Sequence, residues 1–359
     1  MEKKLTPQDL FCLIVQFLKK YKKAYVKYAY LADRFSEEQI EEFKRINLFI
    51  EDKILNIIKD CPQILTLRTD FDYGIYQPSL ERDVNLGMIC AFFEMGRVAT
   101  EALNHQEASL QQSETGDNVA MNCVMFGLGD IAVESLKNHQ IATQQNNKGF
   151  TLGMLYAIAG DEKASLIALD DVIASRIRSS EGRTIAMYCA QREMESCVLK
   201  ALEDEEQYLL QDLDGENLAM YCARAGMVKA VRFCLRDKRV LTQQNRYGEN
   251  IGHVMISENS DERFNRAIKT VLDCHEASMQ FDLTEMNLGM FIIEKKILEL
   301  VPEVLKNKRA LLNENAKGQS TLSYWYQIGE LMGWPADQIW DNLSKYITFT
   351  SDEKTNSLI

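Results

Sequence analysis

The chain has 359 residues, 46% of them hydrophobic and 26% charged, an ordinary folding composition that excludes global disorder. Its 5 prolines and 18 glycines are few for an all-β sandwich, which needs many turns, so the balance tips toward helix. A net charge of −12 argues against a nucleic-acid partner, because phosphate backbones select Lys and Arg.

The N-terminus imitates a secretory leader, with Lys3 and Lys4 ahead of an apolar run over 10–18. Pro7, Gln8 and Asp9 interrupt it, Gln16 lies inside it, Lys19 and Lys20 follow, and no small-residue cleavage site appears. It reads as an ordinary helix without a Sec signal. Thr6-Pro7 predicts a helix start, and Leu10, Leu13, Ile14, Phe17 and Leu18 follow with helical spacing. Ser36 with Gln39 forms a capping box for a second helix reaching about residue 60, whose apolar residues are Leu48, Ile50, Ile54, Leu55 and Ile58. Cys61-Pro62 ends it. The segment 68–77, with Asp70, Asp72 and Gly74, reads as a connecting loop.

Lys19, Lys20, Lys22, Lys23 and Lys27 crowd the first helix and alternate with Tyr21, Tyr25, Tyr28 and Tyr30. Residues 1–80 hold 13 basic and 12 acidic side chains, so the chain's negative charge lies beyond them. One reading is a solvated face with tyrosines packed beneath it. The others are contacts with anionic lipid, an acidic protein or, with least support, nucleic acid.

From about residue 80 a 33-residue period takes over. Met88, Met121, Met154, Met187 and Met220 are spaced by it, and His253 continues the series. Fifteen residues after each Met stands Leu103, Leu136, Leu169, Leu202 or Leu235. Five before stands Gly116, Gly149, Gly182, Gly215 or Gly248, and three before each glycine stands Ser113, Asn146, Ser179, Asp212 or Asn245. An insertion near 257–261 displaces the pattern, which resumes with Asp282, Met290 and Leu305 and again with Asn315 and Gly318. An Asx or Ser three residues before Gly predicts a tight turn, and the Thr or Asn two residues after Gly predicts an N-cap. Gly127, Gly160 and Gly226 would end the short helix. A second helix would carry the leucines. Such a helix pair cannot bury its face alone, so neighbours must stack.

This pattern resembles the ankyrin repeat. The segments Gly149-Phe-Thr-Leu-Gly-Met154, Gly182-Arg-Thr-Ile-Ala-Met187 and Gly215-Glu-Asn-Leu-Ala-Met220 stand where that family has G-x-T-P-L-H-x-A, with aliphatic residues in place of Pro and Met in place of His. The Ala-x-x-Gly that follows appears as Ala223-Arg-Ala-Gly226, and Gly318-Gln-Ser-Thr-Leu-Ser323 is nearer the usual form. The fold expected is therefore all-α: an ankyrin-like helical repeat solenoid of period 33 behind an N-terminal helical segment. Residues 1–79 form a helical cap or small domain, 80–347 the array with terminal cap helices, and 348–359 a flexible tail. Trp325, Trp334 and Trp340 fall late. Trp334-Pro335 marks a turn before a helix burying Ile339, Trp340 and Leu343, either sealing the last repeat or forming an aromatic contact patch.

Candidate chemistry is sparse. Cys90, Cys123, Cys189 and Cys222 share one column, two after the marker, where stacked repeats about 10 Å apart exceed the roughly 7 Å reach of a disulfide. They read as core thiols, and nine free cysteines point to a reducing compartment. His105, His139, His253 and His275 show no metal spacing, and Cys274-His275, adjacent on a helix, makes a poor dyad. No Walker or dinucleotide glycine motif occurs, and the run Glu203, Asp204, Glu205, Glu206 reads as solvated.

What remains is the repeat surface. In an ankyrin-like stack, turn tips and first-helix faces line a groove. The tips read Asn147-Lys148, Ser180-Glu181, Leu213-Asp214, Arg246-Tyr247 and Ala316-Lys317. Tyr188, Tyr221 and Tyr247, with Leu155 and Asn122, are the protein-binding candidates. The three tyrosines admit either groove exposure or partial burial between repeats. The resemblance implies a non-enzymatic scaffold or adaptor, monomeric, without cofactor or metal. Divergent repeats and abundant Lys, Asn and Gln resemble ankyrin-type effectors of intracellular bacteria. That resemblance implies a host or bacterial protein partner and a bacterial or host cytoplasmic location. Two alternatives stand beside it: an adaptor on anionic membranes using the five lysines, and an enzyme whose site no motif reveals.

Overall fold

The computed structural model describes residues 5–31, 34–73, 80–258 and 262–331. The chain divides into two compact units, Met1–Ser180 and Glu181–Ile359. Both are mostly helical, and a two-stranded sheet in the first is the sole sheet among the described residues.

In the first unit, helix α1 spans Pro7–Leu31. Thr6 and Asp9 cap it reciprocally: the Asp9 N–H donates to Thr6 Oγ1 (3.2 Å) and the Thr6 N–H to Asp9 Oδ2 (2.9 Å). Helix α2 spans Glu37–Asp60, and the predicted Ser36–Gln39 capping box is present. Together the helices bury Phe11, Ile14, Leu18, Ile50, Ile54 and Ile58. Leu13, Phe17 and Leu48 depart from the expected apolar faces, being 53%, 49% and 54% exposed. The i, i+3, i+4 spacing that predicted them is wider than the strip each helix turns to its neighbours.

The reading of 68–77 as loop is corrected over its first half. Strand β1 (Arg68–Asp72) pairs antiparallel with β2 (Leu80–Asn85). Phe71 is the reason: it points inward, fully buried, against Phe92 and Phe93. Asp70 and Asp72 lie on the more exposed positions of the same alternation. Gly74 and the rest of that reading, residues 74–79, lie outside the described residues.

Helices α3 (Leu86–Phe92) and α4 (Gly96–Asn104) make the first periodic pair and join the N-terminal hairpin through aromatic packing. Tyr25 packs edge-on against Phe93 at 5.1 Å between centroids, and its hydroxyl donates to Glu94 (2.9 Å). Tyr21 stacks on Phe43.

The 33-residue period is visible as recurring bonds. The side chains of Asn85, Asn118 and Thr151 in the first unit accept from the N–H of Met88, Met121 and Met154. In the second, Thr184, Asn217, Asn250 and Asn287 do so for Met187, Met220, His253 and Met290. These marker side chains are buried to 1% exposure or less. Leu136, Leu169, Leu202, Leu235 and Leu305 of the leucine column are buried as well.

The turns that begin at Ser113, Asn146, Asp212, Asn245, Asp282 and Asn315 are closed in the same way. Asn146 N–H donates to Phe150 O and Gly149 N–H to Asn146 O, as Asp212 N–H does to Glu216 O and Gly215 N–H to Asp212 O. Consecutive tips are stitched by main chain: Asn147 N–H to Thr115 O and Ser180 N–H to Lys148 O in the first unit. Gly149 shows why the column is glycine. It has φ +72, and a Cβ there would lie 2.6 Å from the backbone N of Ser180. Gly160, the helix-ending glycine, has φ +82 but open space around it. That column accordingly admits Glu94, Glu193 and Lys296, all at positive φ.

Residues 259–261 of the insertion lie outside the described residues. So do the Trp334-Pro335 turn, the helix with Ile339, Trp340 and Leu343, and the tail 348–359. Trp325, on the helix Thr321–Leu331, is buried.

Candidate protein-binding surface

In the second unit the turn tips are tied in series. Leu213 N–H donates to Glu181 O (3.0 Å), Arg246 N–H to Asp214 O (2.7 Å) and Leu283 N–H to Tyr247 O (2.8 Å). The side chains above this ladder are bulky and open: Leu213 is 74% exposed, Leu283 72% and Tyr247 46%. Arg246 lies between them. Its guanidinium is 4.8 Å from the Tyr247 ring centre and 2.6 Å from Asp214 Oδ1. These contacts hold an aromatic–cation pair at a fixed position between two exposed leucines.

The platform beneath is built from buried polar groups. Asp212 Oδ1 accepts the N–H of Asp214 (2.9 Å) and of Glu216 (2.9 Å), which shapes the tip. Its other oxygen accepts the Tyr221 hydroxyl at 2.6 Å. Burial, then the Asp212 carboxylate, holds the Tyr221 phenol well above its ordinary value. Arg183 lies over the Tyr221 ring at 5.8 Å and reaches Glu181 at 2.9 Å. Arg224 pairs with Glu216 at 2.6 Å. Gln211 Nε2 donates to Gly215 O (2.5 Å) and across to Gln244 O (3.1 Å), tying one turn to the next.

The sequence candidates separate by burial. Tyr247 stands on the exposed ridge. Of the two readings open for Tyr188 and Tyr221, burial is the one observed, at 6% and 5% exposure, so their area is spent inside the fold. In the first unit, Asn122 is buried and its Nδ2 donates to Asn118 O (3.0 Å). The expectation that it faces a groove is corrected, because a side chain turned back on its own helix has no free face. Leu155 is half-buried. The reading missed Leu283: its turn follows the insertion, where the next residues are Thr284 and Glu285 in place of a glycine pattern.

Among the five lysines, Lys22 is mostly buried and paired with Asp72 at 3.0 Å. Lys19, Lys20, Lys23 and Lys27 are exposed.

Elsewhere, the titratable groups singled out in the sequence are placed as follows. Among the described residues, no group of three or more His, Cys, Asp or Glu is placed to hold a metal. His139 Nδ1 lies 2.6 Å from Asp171 Oδ2, but Asp171 Oδ1 caps the helix Val172–Arg176 through the N–H of Ile173 and Ala174. His275, next to Cys274, has its Nε2 2.8 Å from Arg309 Nη1. The column thiols are buried, and burial pushes Cys123 up to about 12, far from a reactive thiolate. No described helix is long and apolar enough to cross a membrane. A scan against protein-family models and a search of curated proteins each find no match.

Proposed function

We propose that this protein is a non-enzymatic scaffold whose 33-residue units are divergent ankyrin-like repeats, stacked as a solenoid within each unit. It binds a partner protein along the turn tips of the second unit. The observation that carries the reading is the placement of Leu213, Tyr247 and Leu283 on successive tips. Large apolar side chains standing open on main-chain-bonded turns contribute little burial to the fold, and they supply anchors at low ordering cost. Arg246, fixed against Tyr247 and Asp214, adds directional polar contact at their centre.

The test is affinity capture from cell lysates with the full-length protein and its Leu213→Asp/Leu283→Asp variant, each prey quantified. Because both positions are over 70% exposed, the variant should keep the wild-type Tm within about 2 °C. Specific prey retained by wild type and lost by the variant is the outcome expected. A variant that keeps the same prey, or a wild type that captures nothing above a bare-resin control, overturns the proposal.

A further inference from the structure

The α1–α2 hairpin carries a second apolar surface unrelated to the turn tips. Leu13 and Phe17 of α1 and Phe49 of α2 stand 53%, 49% and 61% exposed. They line an open groove of about 320 Å³ floored by Ile14, Ile50 and Ile54. Lys53 lies at its rim, 5.2 Å from the Phe49 ring centre. A second hollow of about 420 Å³ continues along α2, lined by Glu38, Gln39, Glu42, Phe43 and Ile46. Bulky apolar side chains thus line one outer face of a two-helix hairpin.

The charges on that face identify what covers it. Helix α1 carries five lysines against one aspartate, while α2 carries seven carboxylates against four cations. Helical spacing puts Lys20 and Lys27 on the stripe of Leu13 and Phe17, with Lys23 beside them. Glu38 and Glu42 fall on the stripe of Ile46 and Phe49, and all of these are exposed. The helices run antiparallel, with Tyr28 stacked on Phe43 at 4.0 Å and Tyr21 hydrogen-bonded to Asn47 at 3.3 Å. Lys27 therefore sits level with Glu42, and Lys23 within about one turn of it.

A face with a basic helix on one side, an acidic helix at the same level on the other and an apolar groove between them is complementary to itself. Rotation by a half-turn about an axis parallel to the helices lays α1 of one copy over α2 of another. It closes groove on groove and brings Lys27, with Lys23 one turn away, opposite the second copy's Glu42. All neighbours in the resulting four-helix bundle are antiparallel. An anionic membrane fits the lysines but not the acidic helix beside them, which would be driven from the same surface. We propose that the hairpin face is a homodimer interface, formed by a second copy of this chain.

The test uses full-length protein in sedimentation velocity over a concentration series to about 100 μM. Wild type should dimerise. Lys20→Glu/Lys23→Glu/Lys27→Glu and Glu38→Lys/Glu42→Lys should each weaken self-association at least about tenfold. Mixed one to one, they should form a heterodimer, because each altered helix then meets an opposite charge. That rescue separates an interface from misfolding. Phe49→Asp, at a position with little packing to lose, should give a monomer with unchanged circular dichroism. A wild type that stays monomeric overturns the proposal, as does failure of the mixed pair to associate. So does binding to phosphatidylserine vesicles that is lost in the lysine variant while wild type shows no dimer.

Discussion

Glu51, near the middle of α2, accepts the backbone N–H of Arg97 at 2.7 Å and its guanidinium Nε at 3.0 Å. The same carboxylate receives the Val98 N–H at 3.3 Å and is only 4% exposed. Helix α4 lacks a side-chain cap of its own, since its N-cap is Met95. The later helix Glu162–Ala168 is capped by its neighbour Asp161. In the first periodic pair that task has passed to a residue about 46 positions earlier in the chain.

Glu51→Ala should therefore destabilise the protein by about 2–4 kcal/mol, because two helix N–H groups and a guanidinium lose their shared acceptor in a buried place. Glu51→Gln keeps one acceptor oxygen and should cost less than half as much. Urea unfolding of the two variants checks the order. Equal losses would show that the charge alone matters.

The two glycine columns predict different penalties for the same change. Gly149→Ala places a methyl group against the backbone of Ser179 and Ser180 and should cost about 3 kcal/mol. Gly160→Ala meets only the left-handed backbone penalty and should cost about 1 kcal/mol. In reverse, Glu193→Gly, at φ +59 and exposed, should stabilise by a fraction of a kcal/mol to about 1 kcal/mol. Thermal unfolding of the three variants settles the ranking.

His253 gives a pH dependence. It occupies the marker column fully buried, with Nδ1 2.9 Å from Asn250 Oδ1 and Nε2 3.2 Å from Met286 O. Burial lowers its pKa to about 4, outweighing the attraction of Asp282. The unfolded chain takes up this proton near pH 6.5, before the folded one does. Stability is therefore full above that value and falls as pH drops toward 4, by about 3 kcal/mol in total. His253→Met installs the residue found at the equivalent positions and should flatten this part of the stability–pH curve. An unchanged slope between pH 6.5 and 4 would assign the acid sensitivity to other groups.

Tyr221→Phe removes the hydroxyl that binds Asp212 while keeping the ring under Arg183. Asp212 still accepts two main-chain N–H groups, so the turn should survive, at a cost of about 1–2 kcal/mol. A loss above about 4 kcal/mol would mean that the tip itself depends on this bond.

The period, the turns and the caps could be read from residue types because each rests on local chemistry: a side-chain oxygen bonding an N–H three residues on, or a glycine at positive φ. Residues 68–72 hid their strand because one buried Phe71 decides it, and the partner lies across residues 74–79. Burial of Tyr188 and Tyr221 was not decidable from spacing, since a position following a buried marker can lie on either side of the helix boundary. Gln111 and Gln144 also escaped notice. Each reaches back to a main-chain carbonyl, Gln111 to Thr66 O and Gln144 to Leu110 O. A polar residue that joins elements 34 or 45 positions apart carries no signal within its own stretch of chain.

Every amino acid except proline owns the N–H that links one turn tip to its predecessor. The side chains at 213, 246, 247 and 283 are consequently released from architectural duty, and their identities can change while the bonded frame under them persists. A combinatorial library varied at those four sites should yield mostly folded members, which makes the ridge a surface open to rapid diversification and to engineered specificity.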